Sequence, residues 1–365
     1  MRVRPFAVLL ALMTSAAAAS AETGALRTFR SWSVGCDNTR TCTAAAGDSD
    51  RDSALALAVT RSGERDATPV IQLAFHHAVD GPGEGTATLS AGGQVVAQIR
   101  FGTDTRKAGD DLEVTAEPVR TAILAALRRE LAVEVRFDQS LGEDQRSQYT
   151  IPLDGAAAAL LWMDERQKRI GTVTALARPG DRPASDVPPA PPVPKTPKAV
   201  APARGSAPAT LSKAALRRIE TLRGQGCEEG VREMEDDGKP TVRRLTGGRL
   251  LVSVRCTLGG SSSSETYFIV RDGSAPEVER ARFPRPSERL DETPADRTPD
   301  VVLQDVYPGS FDKGELSSGD GTNGGSFCGE RARWIWTGHR FAPREVRTLL
   351  PCGAAWVVVP LYRTR

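Results

Sequence analysis

The chain has 365 residues, 39% hydrophobic, 26% charged and 5% aromatic, with a formal net charge of +2. That length predicts two or three globular units, and the near-neutral charge argues against a nucleic-acid-binding protein, which normally carries a strongly basic domain or stripe. With Gly 34 and Pro 25, many turns and at least one unpacked segment are expected.

At the N-terminus, Arg2 and Arg4 precede an apolar run over 6–13, and Ala19-Ser20-Ala21 offers the small residues that signal peptidase accepts. Residues 1–21 are therefore expected to be a cleaved signal peptide. Its two arginines account for the whole net charge, so the mature chain from Glu22 is formally neutral. No cysteine near the cleavage point can take a lipid anchor, and no later stretch reaches the roughly 18 apolar residues of a membrane helix. A soluble periplasmic protein, or one secreted further, is the expectation.

A first β-rich unit is expected over 22–177, with strands at 26–36, 54–60, 70–75, 94–101 and 131–137. In the last of these, Leu131, Val133, Val135 and Phe137 alternate with Ala132, Glu134 and Arg136, the period of a sheet with one wet face. Residues 117–130 predict a helix with Pro118 in its first turn and an apolar stripe of Val119, Ala122, Ile123, Ala126 and Leu127. Residues 156–169 predict a second, started by Asp154 or Gly155 and stopped by Gly171. His76 and His77 are sequence neighbours on a strand, which sends them to opposite faces and makes a shared metal site poor.

Residues 178–210 carry ten Pro and no aromatic residue. Such a segment buries too little apolar surface to offset its ordering entropy, so a disordered, polyproline-like linker is expected.

The second unit, over 211–365, opens with a helix capped by Ser212 and continues with strands at 250–256, 266–271, 301–307 and 356–362. The clearest hairpin spans 333–341 with Thr337-Gly338 as its turn. Pairing across that turn sets Trp336 opposite His339 and Trp334 opposite Phe341 on one face. A chain short of large rings is expected to bury such a face in its core; the other reading is a ligand platform. The fold class is thus α+β, mainly antiparallel β: two domains with a few covering helices.

Export places the six cysteines in an oxidising compartment, where an even count reads as disulfides. Cys36 and Cys42 stand in the first half, and Cys227, Cys256, Cys328 and Cys352 in the second. If bridges stay within halves, Cys36 pairs with Cys42 and three pairings remain for the others; the sequentially local one joins Cys227 to Cys256 and Cys328 to Cys352. Metal-ligand spacing, Gly-x-Ser-x-Gly elbows, His-Glu-x-x-His, Walker loops and dinucleotide fingerprints are absent, so no cofactor, metal or catalytic residue is assigned. Asp320-Gly-Thr-Asn323-Gly lacks the terminal Glu of a calcium loop and reads as a turn.

The block Phe29-Arg-Ser-Trp-Ser-Val-Gly-Cys-Asp-Asn38 with Cys42 resembles the opening signature of the exported proteobacterial family Domain of Unknown Function 1176. Residues 151–165 and 169–176, Gly248-Arg-Leu-Leu before Cys256, Cys328-Gly329, Trp334 to Phe341, and Cys352 resemble later blocks of that family in order. The opening block is also similar to invasion-associated locus B proteins. Residues 257–264 and 314–326 depart from the family pattern, so any site those loops form in relatives is altered here. The resemblance implies export and architecture but no activity. Together these features predict a non-enzymatic envelope protein that binds a protein or cell-wall component, with a periplasmic hydrolase or enzyme inhibitor using a cleft in the second unit as the alternative.

Overall fold

The computed structural model describes residues 23–50, 55–75, 82–129, 132–141, 146–202, 210–224, 227, 239–258, 263–290, 302–303, 305–306, 309–318, 322–323, 326–327, 329–351 and 355–365. In chain order the first half contributes β1 (Gly24–Phe29), β2 (Trp32–Cys36), β3 (Cys42–Gly47), β4 (Leu55–Arg61), β5 (Val70–Phe75), β6 (Thr86–Ala91), β7 (Gln94–Arg100), β8 (Thr105–Ala108) and β9 (Asp111–Val114). Helix α1 (Glu117–Leu127), β10 (Val133–Leu141), β11 (Arg146–Ile151) and α2 (Ala156–Arg166) complete it. The second half begins with α3 (Lys213–Arg223), followed by β12 (Thr241–Arg244), β13 (Leu250–Leu258), β14 (Ser263–Arg271), β15 (Glu277–Arg280), β16 (Phe283–Pro284) and β17 (Ser287–Arg289). Short pieces follow: β18 (Val302–Leu303), β19 (Asp305–Val306), β20 (Ser310–Asp312), β21 (Glu315–Ser317), β22 (Thr322–Asn323) and β23 (Ser326–Phe327). The chain closes with β24 (Glu330–Trp336), β25 (Phe341–Leu350) and β26 (Val357–Arg363).

The architecture is mainly antiparallel β with three α-helices among the described residues. Its centre is an eight-stranded sheet in the order β17-β1-β2-β3-β4-β5-β9-β8, and β17, from the second half, joins it by pairing parallel with β1. Strand alternation gives this sheet two unlike faces. Val34, Ala44, Leu55, Leu57, Val59, Ile71 and Leu73 face a core shared with α1, α2 and the sheet β11-β10-β6-β7. Ala45, Ala56, Ala58 and Ala74 face the other way, into a second core built with Phe283, Trp334, Trp336, Val359 and Leu361. Small side chains on that second face let strands of the second half approach closely. Gly24 and Gly35 continue it: a Cβ on Gly24 would stand 1.7 Å from the Leu361 carbonyl oxygen, and one on Gly35 2.7 Å from Val359 Cγ1.

Helix α3 covers one face of the sheet formed by β12 to β15, burying Ala215 and Ile219 against Val252, Val254, Phe268 and Val270. Ser212 caps it as expected, accepting from the Ala215 N–H at 3.1 Å. The cap is itself held by Asp272, which accepts from the Ser212 N–H at 2.6 Å and its hydroxyl at 2.7 Å. Those bonds, the Ser212 hydroxyl first, hold the Asp272 carboxyl below its ordinary value. A depressed carboxyl contributes stability that is present above the ordinary aspartate pKa and lost as pH falls through the folded one. Acid titration of stability is therefore expected to flatten in Asp272→Asn, and Ser212→Ala is expected to lower the unfolding free energy by about 1 kcal/mol in equilibrium denaturation.

Two bridges are present, Cys36–Cys42 across neighbouring strand ends and Cys227–Cys256. Cys328 and Cys352 lie outside the described residues, as do His76, His77, Asp320 and residues 259–262.

Two expectations differ. The hairpin turn is Thr337 to Arg340 rather than Thr337-Gly338, with Thr337 N–H donating to the Arg340 carbonyl at 2.9 Å, so Trp336 pairs with Phe341 and Trp334 with Pro343. The Thr337 hydroxyl donates to the same carbonyl at 2.8 Å, and this second bond favours the longer loop. Within 178–210, residues 194–200 are docked rather than free. The Thr196 N–H donates to the Arg365 carbonyl (2.7 Å), Arg365 N–H to Pro194 (2.9 Å) and Val200 N–H to Trp336 (2.9 Å). Arg365, just past β26, and Trp336, at the end of β24, supply the acceptors and donor that composition alone could not reveal.

Candidate functional site

Strand alternation sends Trp334 and Trp336 to the inner face of β24, where Phe283 lies 5.0 Å from Trp334 and 5.0 Å from Phe341, centroid to centroid. Trp334, Trp336 and Phe341 are at most 2% exposed. Their indole N–H groups are used internally, Trp334 donating to the Pro284 carbonyl at 2.8 Å and Trp336 to the Thr246 hydroxyl at 3.1 Å. His339 is exposed in the hairpin turn, apart from these rings. The four candidate binding residues Trp334, Trp336, His339 and Phe341 therefore form no ligand platform: stacking of the second-half strands on the central sheet has consumed the aromatic face. Among the described residues no group of three or more His, Cys, Asp or Glu could hold a metal ion.

The two motif blocks of the first half are equally occupied. Between the bridged Cys36 and Cys42, Asp37 turns inward and accepts from the Thr39 and Thr41 N–H groups at 2.8 and 2.9 Å. Its other oxygen stands 2.8 Å from Arg363 Nε. Asn38 exchanges two bonds with the backbone of Arg363, at 2.9 and 3.1 Å, as an added strand residue would. The opening signature is thus a clasp on the last strand. Asn38→Ala, which strips both bonds, is expected to lower stability by about 1–3 kcal/mol and to raise hydrogen exchange at Arg363.

In the mid-chain block, Gly155 starts α2 with a left-handed φ of 94°, and the helix carries Asp164 and, just past its end, Gln167 into the core. Arg61, 1% exposed, donates to Asp164 at 2.6 Å, Gln167 at 2.6 Å and the Thr174 carbonyl at 2.7 Å. Asp164 also accepts from the Leu176 and Ala177 N–H groups, both at 2.8 Å. Burial lowers the Arg61 guanidinium to about 10 against the opposing pull of Asp164, so Arg61 stays charged at neutral pH. These groups satisfy one another within the fold, which makes the cluster a lock on the 164–177 turn rather than a reaction centre.

A cavity does open on the outer face of the last sheet, β20-β21-β24-β25-β26. Alternation puts Leu316 and Trp334 inward and Ser310, Asp312, Glu315, Ser317, Arg333 and Ile335 outward. The groove, about 560 Å³, is floored by Ile335, walled on one side by Thr196, Pro197 and Ala199 and closed by Arg344 and Arg365. Glu315 sits between two arginines, 3.3 Å from Arg333 and bonded to Arg344, and Arg333 continues the row to Glu345 at 2.7 Å. The Ser310 and Ser317 hydroxyls bond to one another at 2.8 Å. The groove therefore offers fixed charges of both signs, hydroxyls and one apolar floor residue, a lining suited to a polar chain and not to an aromatic-stacked sugar. Sequence reading missed it because its residues come from four strands and the proline-rich segment; the outward Glu315-x-Ser317 and Arg333-x-Ile335 alternation is the only local trace.

A curated relative, described as an uncharacterized protein YpfG from Escherichia coli (strain K12), is 28% identical over 327 residues, covering 87% of this chain and 86% of that protein. No solved structure matches the chain. Neither of these lends weight to the similarity of the opening block to invasion-associated locus B proteins, which rests on those residues alone. The model of a family described as a protein of unknown function, DUF1176, matches residues 26–359, and the chain belongs to that family.

Proposed function

We propose that the protein is exported to the envelope and binds a protein or cell-wall component there, without catalysing a reaction, through the groove over Ile335. The observation that carries this reading is the built row Arg333–Glu315–Arg344 beside a cavity of about 560 Å³. Ion pairs this exposed contribute little to stability, about 0–1 kcal/mol each, so a ligand can borrow them at small cost to the fold. The basic start, apolar run and Ala19-Ser20-Ala21 support export, and so do the two bridges, which form in oxidising compartments. A third bridge, Cys328 to Cys352, fits this account: Gly329 and Leu349, their near neighbours in sequence, are joined by a 3.4 Å backbone bond. Non-reducing peptide mapping is expected to find it; a free thiol at either position would refute it.

The binding reading is tested with the mature chain and an Arg344→Glu variant, in co-sedimentation with purified peptidoglycan sacculi and in cross-linking capture from envelope extract. The expected result is at least about tenfold weaker retention of the variant with an unchanged denaturation midpoint. Equal retention of both proteins, or cleavage of a peptidoglycan or peptide panel by the unaltered chain, overturns it.

A further inference from the structure

Resting on that reading, we propose that the seat at the groove's edge, along Arg365 and Trp336, recognises an extended, proline-containing peptide that completes the groove wall, and that residues 194–200 are a tethered copy of the ligand. The segment reads Pro194-Lys-Thr-Pro-Lys-Ala-Val200. Pro194, Thr196, Pro197 and Val200 are half-buried, whereas Lys195, Lys198 and Ala199 are exposed, so Pro194, Pro197 and Val200 recur at every third position. A burial period of three is that of a polyproline II helix, which has three residues per turn and presents every third side chain to one surface.

The backbone bonds obey the same logic. Arg365 donates to Pro194 O and accepts from Thr196 N–H, at 2.9 and 2.7 Å, as it would with a strand laid along its edge. Further along, Val200 N–H reaches the Trp336 carbonyl at 2.9 Å. Donors are used only at 196 and 200, so the missing N–H of Pro194 and Pro197 leaves no acceptor unmet. The Thr196 hydroxyl adds a 2.8 Å bond to that of Thr364. Beneath the segment, Gly314 has φ +83°, and a Cβ there would stand 3.1 Å from the Val200 carbonyl oxygen, so glycine permits the close approach.

Three backbone bonds and a few half-buried side chains hold a segment only weakly, and a tethered ligand of this kind exchanges with a free one. Because a tether supplies an effective concentration in the millimolar range, the unaltered chain masks its own seat along Arg365 and Trp336, and release of the segment exposes that seat.

The test uses the full mature chain, a fluorescent peptide of residues 190–202, and anisotropy. A Thr196→Pro/Val200→Pro chain lacks both donors and keeps the proline-rich character of the segment. It is expected to bind the peptide at least about tenfold more tightly than the unaltered chain. A peptide carrying the same two substitutions is expected to bind neither chain. Absence of peptide binding to a released chain whose circular dichroism and denaturation midpoint match the parent overturns the proposal, as does equal binding of both peptides. If the released chain loses its fold, hydrogen exchange on the unaltered chain decides. Excess peptide is expected to speed exchange at Thr196 and Val200 at least about fivefold, and unchanged exchange overturns the proposal. A negative peptide result beside reduced sacculus or partner retention by Arg344→Glu removes this proposal and leaves the binding reading standing.

Discussion

Asp164→Ala is expected to lower the unfolding free energy by about 3–5 kcal/mol, because it strands a buried guanidinium without a counter-charge. Asp164 is fully buried and Arg61 is 1% exposed, so water cannot replace the lost carboxylate. The same change frees the Leu176 and Ala177 N–H groups, which close the turn after α2. Replacing both charged residues, Arg61→Met with Asp164→Leu, removes the stranded charge and is expected to be less damaging than Asp164→Ala alone. Equilibrium denaturation followed by tryptophan fluorescence reads both, since Trp32 and Trp162 lie in the same core. A loss below about 1 kcal/mol for Asp164→Ala would show that the lock is dispensable.

The second large effect is expected at the seam between the halves. A Cβ at position 24 would lie 1.7 Å from the Leu361 carbonyl oxygen and 2.7 Å from its carbon. Both are backbone atoms of β26, which cannot rotate away as a side chain can. Gly24→Ala is therefore expected to cost about 2–3 kcal/mol and to raise hydrogen exchange across β26 before it affects β13 or β14. Gly273→Ala is the control, because a Cβ there meets nothing within 4 Å. Equal midpoints for the two variants would overturn this account of the seam.

Local signals carried much of the fold. Pro118 at the start of α1, Ser212 at the start of α3 and the alternation over 133–137 act through neighbours within a few residues, so they are readable in one dimension. The 337–340 loop shows how narrow that margin is: with one additional hydroxyl bond the connection is four residues long instead of two. The candidate site was much less legible. Glu315, Arg333 and Arg344 look like ordinary surface charges until β21, β24 and β25 are laid side by side. The aromatic run 334–341 was the more conspicuous feature, yet packing against Phe283 turned it into core.

By itself the sequence determined the mainly antiparallel β class, the three helices, the starts of α1 and α3 at Pro118 and Ser212, the short Cys36–Cys42 bridge and the family, because each depends on residue type at fixed local spacing, whereas strands such as β3 and β6 went unread. Only the tertiary structure decided that the alanine face of the central sheet receives the second half. It alone placed Arg61 against Asp164, 103 positions away, and laid the proline-rich segment along Arg365. The reason is physical: a buried charge, a glycine that must stay bare and an edge that needs a partner are defined by what arrives from elsewhere in the chain. No window of neighbouring residues contains that information.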